Sequence, residues 1–187
     1  MRYPAEETAA KHQRLLNAAS ELFRQRGIND VSVSEVMKAA GMTHGAFPSH
    51  FGSKDELASA AIREAMDQAD ATLSRALADP VTAKETFLQN YLSRAHRDGA
   101  GNGCPMAALA VEIGRREPDK PALSRHLGKV IERIARGFRW SGGGDRREKA
   151  ILTTAAMVGA VILARSVDDG ELSDEILAAT RRQLLAS

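Results

Sequence analysis

Ser32-Val33-Ser34-Glu35-Val36-Met37-Lys38-Ala39-Ala40-Gly41-Met42-Thr43-His44-Gly45-Ala46-Phe47-Pro48-Ser49-His50-Phe51-Gly52-Ser53-Lys54 decides how the chain is read. It holds two short helical patterns on either side of Gly41. In the first, Ser32 and Glu35 have capping-box spacing: the Ser32 hydroxyl accepts from the Glu35 amide and the Glu35 carboxylate from the Ser32 amide. Val33, Val36, Met37 and Ala40 form its apolar face. The second opens at Thr43, which stands in the N-cap position, and runs to about Phe51, where Gly52-Ser53 breaks it. Small residues at Ala39-Ala40 let the two helices cross closely, and Gly41 supplies the tight turn, which is the helix-turn-helix layout. In that layout the N-terminal residues of the second helix face base edges in the major groove. The free amides at both helix starts suit phosphate oxygens.

The surrounding residues extend the pattern. Leu15, Ala19, Leu22 and Phe23 make one face of a preceding helix, with Pro4 near its start and Gly27 in the place of a left-handed cap. The spacing Ser32-Val33-x-x-Val36-x-x-Ala39-Ala40-Gly41-Met42-Thr43-x-Gly45-Ala46-Phe47-x-x-His50-Phe51-x-Ser53-Lys54-Asp55-Glu56-Leu57 resembles the N-terminal region of TetR-family transcriptional repressors. At motif level the resemblance covers residues 15–57. It implies a DNA-binding domain over 1–54 and a helical ligand-binding and dimerisation domain over 55–187. It further implies a homodimer on palindromic double-stranded DNA, released by a small-molecule effector. By position, Thr43, His44, Gly45, Ala46 and Ser49 fall where the family reads bases or nearby phosphates. Ser32, His50 and Lys54 fall where it touches the backbone. Each has a plainer alternative: Ser32 as a cap only, His50 as a partly buried imidazole. Phe47 and Phe51 are read as core. One position departs from the family. Pro48 replaces its usual tyrosine, and proline lacks the amide that would bond to the His44 carbonyl. A kinked or shortened recognition helix is expected after Phe47.

The rest of the chain also divides into helices. A long one over 55–78 carries Leu57, Ile62, Met66, Ala69, Leu73 and Leu77, and Asp79-Pro80 ends it. The next presents Phe87, Leu88, Tyr91, Leu92 and Ala95. A loop with three glycines covers 98–103, and a short helix follows over 105–115. Leu123, Leu127, Val130, Ile131, Ile134 and Phe138 form the cleanest apolar stripe. After a loop at 141–144, two last helices are expected over 145–167 and 174–185. Nothing reads as a strand. The expected fold is all-α, with about nine helices.

Composition narrows the function. The 187 residues hold 26 Lys+Arg against 24 Asp+Glu, a net charge of +2, so overall charge does not mark a nucleic-acid binder. The excess sits in residues 1–54, with seven basic groups against five acids and three of the five histidines. One cysteine excludes an internal disulfide framework. The N-terminus has no apolar core of the signal-peptide kind, and the uncharged stretch 150–164 is shorter than the ~20 residues of a membrane span. A cytoplasmic protein is therefore expected. No nucleophile triad, phosphate loop or HExxH pair is present, so neither an enzyme nor a bound metal or cofactor is expected.

Met66, Phe87, Tyr91, Met106, Leu109 and Phe138 are candidate lining residues for the effector cavity that the resemblance implies, with ordinary core packing as the alternative. Cys104, in Asn102-Gly103-Cys104-Pro105-Met106, resembles the cysteine of a family subset that senses electrophiles or oxidants. A helix start favours a thiolate, and the alternative is a small buried hydrophobe. Ala155 and Gly159 allow close helix approach, while Ile151, Val158 and Ile162, with Ile176, Thr180 and Leu184 of the last helix, add area for a four-helix dimer interface. The eleven bases and five acids of 115–149 read as a solvated face. A DNA-binding dimer without any ligand is the remaining alternative.

Overall fold

Helix α1 (Ala5–Arg26) stops where Gly27 turns left-handed, at φ +88°. The computed structural model describes residues 5–186, with side chains from residue 7 onward; Pro4 lies outside the described residues. Helix α2 (Val33–Ala39) carries the full capping box: the Glu35 amide donates to Ser32 Oγ at 3.2 Å, and the Ser32 amide donates to Glu35 Oε2 at 2.8 Å. These bonds from Ser32, backbone first, and a 2.7 Å ion pair with Arg26 hold the Glu35 carboxyl down at about 2. Gly41, at φ +70°, ends the helix. Helix α3 (Lys54–Ala76) is capped by Ser53, whose Oγ accepts from the Glu56 amide at 3.1 Å.

The first half of α3 belongs to the N-terminal core. Leu57, Ile62 and Met66 pack with Leu15, Phe23 and Val36 in one buried cluster, which also takes in Leu109 and Ile113 from much later in the chain. A division after residue 54 marks the start of a helix but cuts through this core.

Helices α4 (Ala83–Tyr91) and α5 (Arg94–Asp98) stand where the periodicity predicts one helix. The chain breaks at Leu92, and Ser93 restarts it by accepting the His96 amide on its hydroxyl at 3.1 Å. Apolar spacing carried across this break because Leu92 remains fully buried. A 3₁₀ turn at Ala100–Asn102 leads into α6 (Pro105–Gly114), and α7 (Lys120–Gly137) follows. Helix α8 spans Arg146–Ser166. Helix α9 (Gly170–Ala186) starts earlier than expected, because Asp169 Oδ1 accepts the amides of Glu171 and Leu172 at 2.8 and 3.1 Å. Asp174 ties α9 to α5 through Arg94 and Arg97.

The second core lies among these later helices, around Leu88, Ile134, Phe138, Met157 and Val161. Among the described residues there is no strand, and the nine α-helices agree with the expected number. That agreement hides two differences that cancel: α5 is additional, and the segment after Gly41 is not an α-helix. Helix α8 is also long and apolar enough, by length and composition, to cross a membrane. Its Ala150, Met157, Val161 and Ala164 are buried within the second core. Most basic residues of 115–149 are exposed, as a solvated face would have them; among them Arg116 pairs with Asp55 and Asp119, Arg136 with Glu132, and Arg133 donates to Ser74 Oγ and the Asp70 carbonyl.

Candidate nucleic-acid interface and adjoining cavity

The segment after the turn is a 3₁₀ helix, His44–Ser49. Its bonds follow the tighter i to i−3 pattern: Ala46 N–H to Thr43 O at 3.0 Å and His50 N–H to Phe47 O at 2.9 Å. Pro48 explains this. It has no amide for the His44 carbonyl, and its ring would crowd that carbonyl in an α-helix, so the chain winds more tightly. The expected α-helix running to Phe51 is thus corrected over its whole length, not only after Phe47. Thr43 occupies the N-cap position, but its side chain makes no capping bond. Thr43, His44, Gly45 and Ser49 are exposed and Ala46 half-buried. Phe51 is buried and Phe47 half-buried against the N-terminal core.

Ser32 caps α2 and remains exposed. Lys54, the first residue of α3, donates from Nζ to the Asn29 carbonyl at 3.2 Å, which holds the ammonium beside the α1–α2 turn. The His50 ring lies 5.6 Å from His12, and burial, then the positive neighbours His12 and Lys11, hold its imidazole below its ordinary value. Thr8, Lys11 and Arg14 of α1 join Thr43, Ser49 and His50 around a concavity of about 330 Å³. These α1 residues escaped the sequence reading, since nothing in one helix shows that its start folds beside the 3₁₀ segment.

A larger cavity, of about 420 Å³, opens among α3, α4, α6, α7 and α8. Of the candidate effector-site residues, Phe87, Tyr91, Cys104 and Met106 line it. Met66 and Leu109 do not: both face the N-terminal core. Phe138 lies in the second core, its ring 6.0 Å from Phe87 and 5.8 Å from Trp140. Helical spacing identified these three as buried but not which core they enter. Arg24, Gln68, His96 and His126 also line the cavity and were missed. Arg24, 5 % exposed on α1, donates to Gly103 O at 2.9 Å, Gln68 Oε1 at 2.8 Å and Ser20 O at 3.1 Å.

His96 has one tautomer that satisfies its partners. Nδ1 lies 2.7 Å from the Tyr91 carbonyl and must donate; Nε2 accepts from the Cys104 amide at 2.9 Å. Burial lowers its pKa, against the raising effect of the bond to the Tyr91 carbonyl and with a smaller push from Arg165. His126 is 4 % exposed, with Nδ1 3.3 Å from Asp70 Oδ1, and burial holds it low against the pull of Asp70.

Residues 15–61, which span the helix-turn-helix, match the model of the bacterial regulatory proteins of the tetR family. An uncharacterised HTH-type transcriptional regulator of Mycobacterium tuberculosis is 30 % identical over 193 residues, covering 93 % of this chain and 94 % of that protein. The chain belongs to the TetR family. It is a DNA-binding transcriptional regulator. The HTH-type transcriptional repressor DhaR of Mycobacterium sp. strain GP1 is 24 % identical over 186 residues, 94 % of this chain and 92 % of that one. The crystal structure of the regulatory protein TetR from Rhodobacter sphaeroides superposes with a TM-score of 0.78 at 25 % identity, over 92 % of this chain and 96 % of the other. These relatives are regulators of transcription, not enzymes.

TetR-family regulators function as dimers, and α8 and α9 offer a face suited to that. On α8, Ile151, Ala155 and Ile162 are exposed and Gly159 and Val158 half-buried; on α9, Ile176 and Thr180 are half-buried. Leu184 departs from the expected face. It is 7 % exposed and packs into the second core, because its turn of α9 leans on the protomer's own helices. Leu152 and Leu163, 68 % and 57 % exposed, lie on the outside of α8 instead.

Proposed function

We propose that this TetR-family regulator is a repressor that sits in the cytoplasm as a homodimer on a palindromic operator and leaves it when a small molecule fills the 420 Å³ cavity. Thr43, His44, Gly45, Ala46 and Ser49 take the base-facing role, with Ser32, His50 and Lys54 on the backbone and Lys11 and Arg14 adding charge beside them. Ile151, Ala155, Gly159 and Ile162 take the dimer contacts, joined by Leu152 and Leu163. Residues 1–54 act as the reading head and 55–187 as the sensing body.

The observation that carries this reading is Arg24. It belongs to the first helix of the DNA-binding unit, yet it lines the cavity and bonds Gly103, the residue before Cys104. A ligand that displaces the cavity wall acts on α1 through that bond. The test is selection of bound sites from random duplexes at two salt concentrations, repeated with compounds that raise the melting temperature. Enrichment of a palindrome, lost on adding a stabilising compound, is the expected result. Salt-sensitive binding without a motif would show that the 3₁₀ segment cannot read bases and would overturn sequence-specific repression.

A second reading is favoured by one observation. Cys104 lines the same cavity, beside Tyr91. In that reading, modification of the thiol releases DNA. Cys104→Ser would then bind DNA normally and ignore a thiol-modifying reagent; continued release by the reagent would remove Cys104 from the mechanism, since the chain has one cysteine.

A further inference from the structure

The two formally charged side chains that line the cavity, Arg24 and Arg75, are both positive, and among the described residues no aspartate or glutamate lines it; Asp70 stands behind His126. Arg24 is buried, and all three of its acceptors are uncharged. Arg165 stands behind the wall: its Nε donates to the Arg97 carbonyl and its Nη2 to the His96 carbonyl, at 2.8 and 2.7 Å. Its Nη1 is buried without a partner. Among the described residues neither guanidinium has a carboxylate within ion-pair distance. A buried cation without a paired carboxylate is costly, and burial lowers the affinity of both groups for their protons, against the weaker pull of Glu21 and Glu64 on Arg24 and of Asp98 on Arg165.

Tyr91 lies at this same end. Its hydroxyl is buried, with the Cys104 thiol beside it and no other hydrogen-bond partner among the described residues. Burial, then the adjacent Cys104, pushes the phenol well above its ordinary range, so it stays protonated and is a donor. His96 cannot serve it as an acceptor, because both ring nitrogens are engaged. This end of the cavity therefore holds donors served by no oxygen acceptor, in Tyr91 and Arg165 Nη1, and positive charge with no carboxylate paired to it. The wall also carries a run of apolar side chains, Leu73, Phe87, Met106, Ile134 and Met157, among polar ones such as Thr72, Thr86 and Thr154.

We propose that the cavity takes a small organic anion, a carboxylate on an apolar body, with its head group accepting from the Tyr91 hydroxyl in the field of Arg24 and Arg165. This rests on the reading of the cavity as an effector site and names the chemistry of the effector. A carboxylate offers what this end lacks, which is a negative charge and several acceptor lone pairs. An uncharged ligand would satisfy the hydroxyl but leave the cations uncompensated. The head group would also lie close to Arg24, so the same charge that holds it competes with Gly103 O and Gln68 Oε1 for that guanidinium.

The experiment uses the full chain with matched acids and amides: 3-phenylpropionate and 3-phenylpropanamide, octanoate and octanamide, naphthalene-2-carboxylate and naphthalene-2-carboxamide. Thermal shift reads binding, and anisotropy of a labelled selected site reads DNA release. At least one acid should raise the melting temperature, with its amide about tenfold weaker or worse. Tyr91→Phe should weaken the acid about tenfold and the amide by less, since a hydrogen bond to a charged acceptor is worth more than one to a neutral acceptor. Cys104→Ser should retain the preference, which separates the anion site from thiol chemistry. Amides that bind as well as their acids, or acids that never stabilise the chain, would overturn the proposal. If an uncharged compound alone both stabilises the chain and releases DNA, the effector reading stands and the anion inference fails. If an acid stabilises the chain but leaves DNA bound, the anion site stands and the effector reading fails.

Discussion

Lys54 and His96 show how one side chain's surroundings set its task. Lys54 is anchored at the N-terminus of α3 by a single bond to the Asn29 carbonyl, and its remaining N–H groups are available to a phosphate oxygen. Lys54→Ala is expected to weaken binding to all duplexes alike and to flatten the plot of log affinity against log salt by about one unit. A loss confined to one sequence would contradict a phosphate role. His96 instead holds the cavity wall together as a neutral imidazole between Tyr91 and Cys104. Its folded pKa is depressed, as is that of His126, so the unfolded chain binds these protons more readily. The stability they contribute is full above their unfolded value of about 6.5 and is lost as pH falls below it. Melting temperature should therefore drop between pH 7.5 and 5, well before Glu35, held at about 2, takes up its proton. His96→Asn should shallow that slope; an unchanged slope would assign the effect elsewhere.

At the level of elements, the link between the two halves of the chain is polar and local. Arg24 joins α1 to the residues just before α6, and Glu112 of α6 accepts the Ile28 amide at 2.9 Å on the far side of Gly27. Helix α6 and the residues leading into it thus hold the DNA-binding unit at two points, while Met106 of α6 lines the cavity. Arg24→Met removes the first grip and leaves Gly103 O and Gln68 Oε1 without their donor. The expected cost is about 2 kcal/mol, or roughly 4–8 °C in melting temperature. DNA release by any stabilising compound should be blunted as well, measured as the shift in DNA affinity at saturating compound. An unaltered shift would place the coupling in Glu112 or in the shared apolar contacts of Leu109 and Ile113.

For the whole molecule, the exposed apolar side chains of α8 are the unfinished part of the protomer. Leu152 and Leu163 stand largely in solvent on a helix otherwise packed into the second core. Large exposed apolar groups in one strip mark a contact surface. Leu152→Glu combined with Leu163→Glu should leave the fold intact and shift sedimentation from dimer to monomer. Affinity for a palindrome should then fall to that of a half-site, because two reading heads no longer share one duplex. A double variant that remains dimeric would move the interface off this face.

The chain's own sequence determined the features that depend on near neighbours. The capping box of Ser32 and Glu35, the left-handed glycines at 27 and 41, the apolar stripe of α7 and the family spacing through Leu57 all lie within a few residues of what they control. Pro48 was legible as a departure for the same reason, though its reach through the whole 3₁₀ segment was not. Only the tertiary structure decided which buried residues share a space. Met66, Leu109 and Phe138 have the same apolar signature as Phe87 and Met106, but the crossing of helices sends the first two to the N-terminal core and the third behind Phe87. It also decided that Arg24 meets Gly103, a residue 79 positions away, and that Leu184 turns inward. Periodicity reports that a side chain is buried; which partner it is buried against depends on how far-apart helices cross, and that is set by the packing of the whole chain.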